Sequence, residues 1–516
     1  MRLRGRGLGR AWLLAVLVAV AGCGTPAQVV GGQDTPADLA RFYGQELAWG
    51  SCAGFAVSAS YQDRAAAGFL CARLNVPLAY EDPTGPTAQI AVIKAPGQPT
   101  AERSLVVNPG GPGASGLEWA LGEADYVARG PLGDGFDVVS FDPRGVGAST
   151  PRIECLGGAE MDAVRAGGSF WGDPAGVAAA EGQDQEFIDA CVSNTGAGVL
   201  AAMGTRSAAH DLDILRAALG DRQLTYLGFS YGTLLGTVYA QEFPGRVRAL
   251  VLDGAVDPAE DPAAALVNQG AGFQDAFNEF ARDCAQVSDC ALGDDPARAV
   301  ARYRELVDGL RGAPAQTTDP RGLSESDALT GTIQALYSTS MWGTLRSGLA
   351  ELADARGDSL LLLADIYEGR DDDGRYQSNI AAAFTAIRCV DVRPGFTGEE
   401  RAATDAAYRA AAPFLDNGHG TGQTPRDICD RWPVPATLNW TPEIPEIPRT
   451  VVISTTQDSA TPYQAGVDLA KLLGAALITV EGTSHTATFG NVCVDEAINA
   501  YLLDLTVPAD EQTCPG

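Results

Sequence analysis

Ser230 stands between two glycines in Tyr226-Leu-Gly-Phe-Ser-Tyr-Gly-Thr-Leu-Leu-Gly-Thr-Val-Tyr239, and its surroundings leave the backbone few options. An apolar, β-prone run leads into the serine and a helix-compatible run leads away, which predicts a sharp strand-to-helix turn. Gly228 and Gly232 remove the side chains that would collide in such a turn. With 61 glycines in the chain, the bare Gly-x-Ser-x-Gly spacing carries little weight. The order strand, turn, helix carries more. It favours an exposed, nucleophilic hydroxyl over a serine that merely caps a helix.

Strand and helix signals alternate through the rest of the chain. Apolar β-rich runs occupy 89–93, 104–107, 137–141, 224–227, 249–252, 450–454 and 476–480, the pattern of an α/β fold with a mostly parallel sheet. At 46% hydrophobic residues the chain can bury the core that such a sheet requires. About 200 residues separate the fifth run from the sixth, far beyond an ordinary connection. A large helical cap is therefore predicted between those strands, with helices over 263–284, 296–310, 324–337, 341–356, 359–367, 379–387 and 399–411. A proline-rich return follows over 433–448. The expected division is an export signal (1–22), a tether (23–45), the first part of the α/β core (46–254), the cap (255–445) and the last part of the core (446–516).

The N-terminus carries the export signal. Arg2, Arg4, Arg6 and Arg10 precede an apolar run too short to span a bilayer. Val20-Ala21-Gly22-Cys23 resembles a bacterial lipobox, so Cys23 is expected to carry lipid and to anchor a cell-envelope lipoprotein to the outer face of the membrane. Ordinary cleavage after Ala21, giving a secreted protein, is the alternative. Ten cysteines remain, an even number in an exported chain, and favour five disulfides. Pairing by proximity along the chain joins Cys52 to Cys71, Cys155 to Cys191, Cys284 to Cys290, Cys389 to Cys429 and Cys493 to Cys514. A net charge of -29 argues against nucleic acid as a partner, since such a surface repels phosphate backbones.

The histidines narrow the chemistry. His210, His419 and His485 are the only three, and without an HExxH or a close pair they do not suggest a zinc site. A serine elbow needs a base and an orienting acid later in the chain. His485, just past the last strong strand, is the expected base. His419 sits in a glycine-rich insertion loop and is disfavoured. Asp458, directly after the penultimate strand, is the expected acid, with Asp253 after the 249–252 strand as the alternative. The loop Asn108-Pro-Gly-Gly-Pro-Gly-Ala-Ser-Gly116 follows another strand and can supply an oxyanion donor. Gly111 is the choice there, because Pro112 has no N–H, and the N–H of Tyr231 would be its companion. The same loop fits GxGxxG with Asp142 as a ribose-binding acid, but an exported protein rarely meets a nucleotide cofactor.

Taken in order, Asn108-Pro-Gly-Gly-Pro-Gly113, Phe141-Asp-Pro-Arg-Gly-Val-Gly-Ala-Ser149, the elbow, Asp458-Ser-Ala-Thr-Pro462 and Gly482-Thr-Ser-His485 resemble the secreted tripeptidyl aminopeptidases. These are α/β hydrolases related to the proline iminopeptidases, with a distinctive C-terminal region. Pro109 stands where the iminopeptidases carry a histidine, which argues against strict iminopeptidase identity. The resemblance implies peptide substrates with a free amino terminus, an acyl-enzyme at Ser230, and no metal or organic cofactor. It also implies that Asp142 and Arg144 brace the loop beside the oxyanion element, and that Thr461 supports Asp458. Lipid or ester hydrolysis in the envelope is the rival activity, and a noncatalytic binding protein is the rival from another class. An exopeptidase needs an anion for the substrate ammonium. Glu351, Asp365 and Glu368 lie on predicted cap helices, although each is expected at a solvated surface.

Overall fold

The computed structural model describes residues 36–516 apart from 56–57, 67, 96–100, 168–173, 419, 421–422, 439 and 442. Cys23 and His419 lie outside the described residues. Among the described residues ten strands form one sheet: β1 (Gly50–Ser51), β2 (Leu70–Pro77), β3 (Thr87–Lys94), β4 (Arg103–Asn108), β5 (Phe136–Asp142), β6 (Leu224–Phe229), β7 (Val247–Asp253), β8 (Val451–Thr455), β9 (Ala476–Glu481) and β10 (Gln512–Pro515). Their order across the sheet is β1-β2-β3-β5-β4-β6-β7-β8-β9-β10. From β5 to β10 every neighbouring pair is parallel, while β1, β2 and β3 form an antiparallel edge.

Alternation along the strands explains why the sheet is buried on both faces. Val107, Leu227, Val251 and Ile453 pack into one core layer, and Val106, Tyr226, Leu250 and Val452 into the layer on the opposite face. Strands β1, β2 and β10 had no sequence expectation. The first and last are too short for a periodic signal, and β2 carries Arg73 and Asn75 in its interior.

The long interval between β7 and β8 closes on itself. Val251 pairs with Val451 and Leu252 with Val452, so the chain returns to the strand it left. The excursion is helical. Asp261 caps the helix Pro262–Cys284 by accepting from Ala263 and Ala264, Ser324 caps Glu325–Leu336, and Thr397 with Glu400 forms a capping box for Gly398–Ala411. These helices hold a core of their own, in which the Phe277 and Phe414 rings stack at 4.8 Å. A second excursion was not anticipated. Between β5 and β6 the helices Gly158–Gly167 and Pro174–Asn194 leave the sheet, and Arg165 of the first pairs with Asp327 and Asp365 of the cap.

The disulfides join Cys52 to Cys71, Cys155 to Cys191, Cys284 to Cys290, Cys389 to Cys429 and Cys493 to Cys514.

Candidate active site

Because β4, β6, β7, β8 and β9 run parallel, their C-terminal ends open onto one edge of the sheet, where ligands of α/β folds bind. Ser230 follows β6 there, with φ 53° and ψ -123°, and begins the helix Tyr231–Glu242. A non-glycine residue with positive φ costs energy and persists only where its neighbours hold it. The Ser230 N–H donates to the Asp253 carbonyl at 2.9 Å, and the Ser230 carbonyl accepts from Thr233 N–H at 2.8 Å. The glycines are steric requirements. A Cβ on Gly228 would lie 2.3 Å from the Gly232 carbonyl oxygen, and one on Gly232 would lie 2.8 Å from that of Asn108.

The loop after β4 passes directly beside this turn. Gly110, Gly111 and Gly113 adopt φ of 94°, 105° and 97°. A Cβ on Gly110 would lie 2.4 Å from the Phe229 carbonyl oxygen and 3.1 Å from Ser230 Cβ. Among the described residues neither the Gly111 nor the Tyr231 N–H has a protein acceptor, and the latter is an unspent donor at a helix start. Asp142 braces the loop. Its carboxylate accepts from Ser115 Oγ at 2.6 Å, Leu117 N–H at 3.1 Å and Ala148 N–H at 2.7 Å. Burial pushes its pKa up to about 6 against the pull of these donors. Committed to those contacts, Asp142 cannot serve a ribose. Arg144 points elsewhere, gripping Asp211 and the carbonyls of Leu78 and Ala202.

His485 follows β9 and faces Asp458, which follows β8. His485 Nδ1 lies 2.9 and 3.1 Å from the two carboxylate oxygens. With Nδ1–H donating to this acceptor-only group, Nε2 is left with its lone pair. Asp458 is held in turn by the N–H groups of Ala460 and Thr461, both at 2.9 Å, and by Thr461 Oγ1 at 3.1 Å. Thr461 therefore supports the carboxylate, and the following helix, Tyr463–Leu473, takes Pro462 as its N-cap. Burial alone would disfavour the imidazolium, but the Asp458 charge and hydrogen bond outweigh it and hold the His485 pKa above its ordinary value.

Asp253 is not the partner of the ring. Its Oδ2 accepts from Ala487 and Thr488 N–H, so it anchors the segment just after His485. His210 is remote, bonded to Glu242 between the rings of Tyr80 and Phe243.

Two cavities share the Ser230 wall. One, of about 590 Å³, runs past His485, Trp119 and Phe489. The other, of about 400 Å³, runs past Gly111, Tyr231, Phe273, Phe384 and Asp391 under the cap. The three carboxylates first considered for an ammonium line neither cavity, and none is fully exposed. Asp365 is taken by Arg165 and Arg321, Glu351 accepts from Ser359, and Glu368 is half-buried beside the second excursion. Glu351 and Asp365 are drawn in by partners on neighbouring segments.

Two residues with no motif of their own also enter the site. The cap residue Tyr337 accepts the His485 N–H through its carbonyl at 3.0 Å, and its ring meets the imidazole edge-to-face with centroids 5.3 Å apart. Asp391 lines the second cavity. Its one sequence cue is its position two residues past Cys389.

A family model described as the alpha/beta hydrolase fold matches residues 103–492. The chain is 46% identical over 511 residues to serine protease Hip1 of Mycobacterium tuberculosis, covering 97% of this chain and 96% of that one. It is 48% identical over 474 residues to carboxylesterase B of the same organism, covering 91% and 90%. Likeness to the tripeptidyl aminopeptidase of Streptomyces lividans is weaker, 29% over 461 residues, covering 86% and 83%.

Proposed function

The chain belongs to the α/β-hydrolase family, and from that premise we propose that it is an exported serine peptidase releasing tripeptides or other short peptides from free amino termini. The observation that supports this reading is the position of Ser230 between a cavity that runs past His485, Trp119 and Phe489 and a second cavity whose wall combines apolar groups with Asp257, Glu260 and Asp391. The carboxylate-lined side suits a short acyl segment ending in an ammonium, and the side beside His485 suits the leaving peptide.

In this mechanism His485 Nε2 takes the Ser230 hydroxyl proton as Oγ attacks the scissile carbonyl. Asp458 keeps Nδ1 protonated and stabilises the imidazolium. The tetrahedral oxyanion sits against the N–H groups of Gly111 and Tyr231. His485 then returns its proton to the departing amine, and water, deprotonated by the same ring, hydrolyses the acyl-enzyme at Ser230.

A second reading is favoured by the carboxylesterase B relative: the same constellation cleaves esters, including envelope lipids. Turnover of a free tripeptide anilide, its N-acetyl form and a short acyl ester separates the two. The peptidase reading expects the free anilide to lead, and dominance of the ester overturns it. Ser230→Ala should lower every activity by ~10⁴-fold or more and abolish labelling by a fluorophosphonate. Labelling that survives this substitution points to another nucleophile. No labelling of the wild type points to a binding protein.

The five disulfides fit an oxidising compartment. Anchoring through lipid on Cys23 belongs to the same proposal.

A further inference from the structure

Asp391 is the last residue of the helix Ile380–Asp391, 4% exposed, and lies in the wall of the capped cavity that also contains Ser230, Gly111 and Tyr231. A buried carboxylate ordinarily has a cation for a partner. The two arginines that flank it in sequence are both engaged elsewhere: Arg393 donates to the Trp432 and Val434 carbonyls at 2.8 and 2.6 Å, and Arg388, which lines the same cavity, is spent on Asp427 with contacts of 3.0 and 3.1 Å. Asp391 instead accepts from Thr205 N–H at 2.7 Å and from Thr205 Oγ1. Those bonds cap the helix Thr205–Ala218, which explains part of its presence. They occupy one acceptor position on each oxygen and leave the other free. Sitting at the carboxyl end of its own helix, the group also meets that helix's negative pole. Among the described residues no cation pairs with it, and burial pushes its pKa up to about 7 against the pull of the Thr205 donors.

The other acids of the cavity are placed differently. Asp257 and Glu260 are only partly buried, accept from Ala259 N–H and Asn268 Nδ2, and also line a separate surface pocket. Asp391 alone among them combines deep burial with a direct link to the elbow. Thr205 Oγ1 shares a hydrogen bond with the Tyr231 phenol, and Tyr231 is the residue whose backbone N–H faces the oxyanion site. One tyrosine side chain and two hydrogen bonds thus separate Asp391 from the reacting carbonyl. A path that short keeps the two within a few residues of extended peptide, at ~3.3–3.6 Å each.

We propose that Asp391 binds the substrate's α-ammonium, and that its distance from Tyr231 sets how many residues are released. This rests on the aminopeptidase reading and adds the residue that enforces it. An incoming ammonium supplies the missing cation and fills the free acceptor positions. An acetylated amine supplies no charge and adds bulk at the buried end.

The test compares kcat/KM for a free tripeptide anilide and its N-acetyl form in wild type, Asp391→Asn, Asp391→Glu and Thr205→Val. In wild type the free form is expected to lead by at least ~30-fold. Asp391→Asn should shrink that ratio by at least ~10-fold, mainly through KM. Thr205→Val, which removes the hydroxyl shared by Asp391 and Tyr231 but keeps the carboxylate and its bond from the Thr205 N–H, should slow both substrates and leave the free form ahead. A wild-type preference that survives Asp391→Asn overturns the role of Asp391 while sparing the aminopeptidase reading. Equal turnover of free and acetylated substrates by wild type overturns both. If Asp391→Asn does not fold, Asp391→Glu decides. Moving the carboxylate by one methylene should shift the preference between dipeptide and tripeptide anilides by at least ~5-fold, and an unchanged length profile overturns the proposal.

Discussion

Asp253 and Thr488 are joined by a 2.7 Å hydrogen bond from the Thr488 N–H to the Asp253 carboxylate, across 235 positions of sequence. The same oxygen takes the Ala487 N–H at 3.0 Å, so the end of β7 fixes the backbone immediately after His485. Thr486 and Phe489 on that segment have φ of 70° and 67°, conformations that need such a clamp.

That division of labour between two acids gives the first prediction. Asp458→Asn should lower kcat by ~10⁴-fold with little change in melting temperature, because the ring loses its tautomer and its counter-charge. Asp253→Ala should chiefly lower stability, by ~1–3 kcal/mol, since the buried Thr488 N–H and the part-buried Ala487 N–H lose their acceptor. Denaturant unfolding and steady-state rates on both variants check this. A harmless Asp458→Asn beside a kinetically dead but stable Asp253→Ala would reverse the assignment.

The pH profile follows from the same pair. The base is the neutral imidazole, so the rate falls as pH drops through the His485 pKa. Asp458 raises that value, which places the acid limb of kcat/KM above the ~6.5 of a free imidazole. The charged pair likewise stabilises the fold fully below the unfolded value, and that contribution is lost as pH rises through the folded one. In the residual activity of Asp458→Asn the limb should move to lower pH. A limb that stays in place would show that the charge of Asp458 does not govern the ring.

Gly110→Ala tests the contact between the oxyanion loop and the elbow. The new methyl would face the Phe229 carbonyl oxygen at 2.4 Å in a backbone of φ 94°. We expect kcat to fall by ~10²-fold or more as Gly111 is displaced. Gly182→Ala is the control, since nothing lies within 4 Å of its Cβ position in the helix Pro174–Asn194. It should be neutral or stabilising by ~0.5–1 kcal/mol.

Anchoring is checked in cells. Metabolic labelling with a palmitate analogue should mark the wild type and spare Cys23→Ser. Equal labelling of both would remove Cys23 as the lipid site.

Some of this was decided by local sequence. The strand-to-helix turn at Ser230, the alternating buried faces of β4 to β9 and the capped helices between β7 and β8 depend on neighbours within a few residues. Periodicity, glycine placement and capping side chains therefore reveal them directly. The order Ser230, Asp458, His485 was legible for the same reason, because each follows a recognisable strand and parallel strands must present their ends together. Other features needed the folded chain. The docking of Tyr337 on His485, the pairing of Arg165 with Asp327 and Asp365, and the Asp391 to Thr205 to Tyr231 link join residues far apart in sequence. No local pattern encodes them. Asp391 reads in sequence as one acid among 65 Asp and Glu residues. Only packing, by burying it in the wall of the cavity that reaches Ser230 and giving Arg388 to Asp427, leaves its carboxyl without a cation among the described residues.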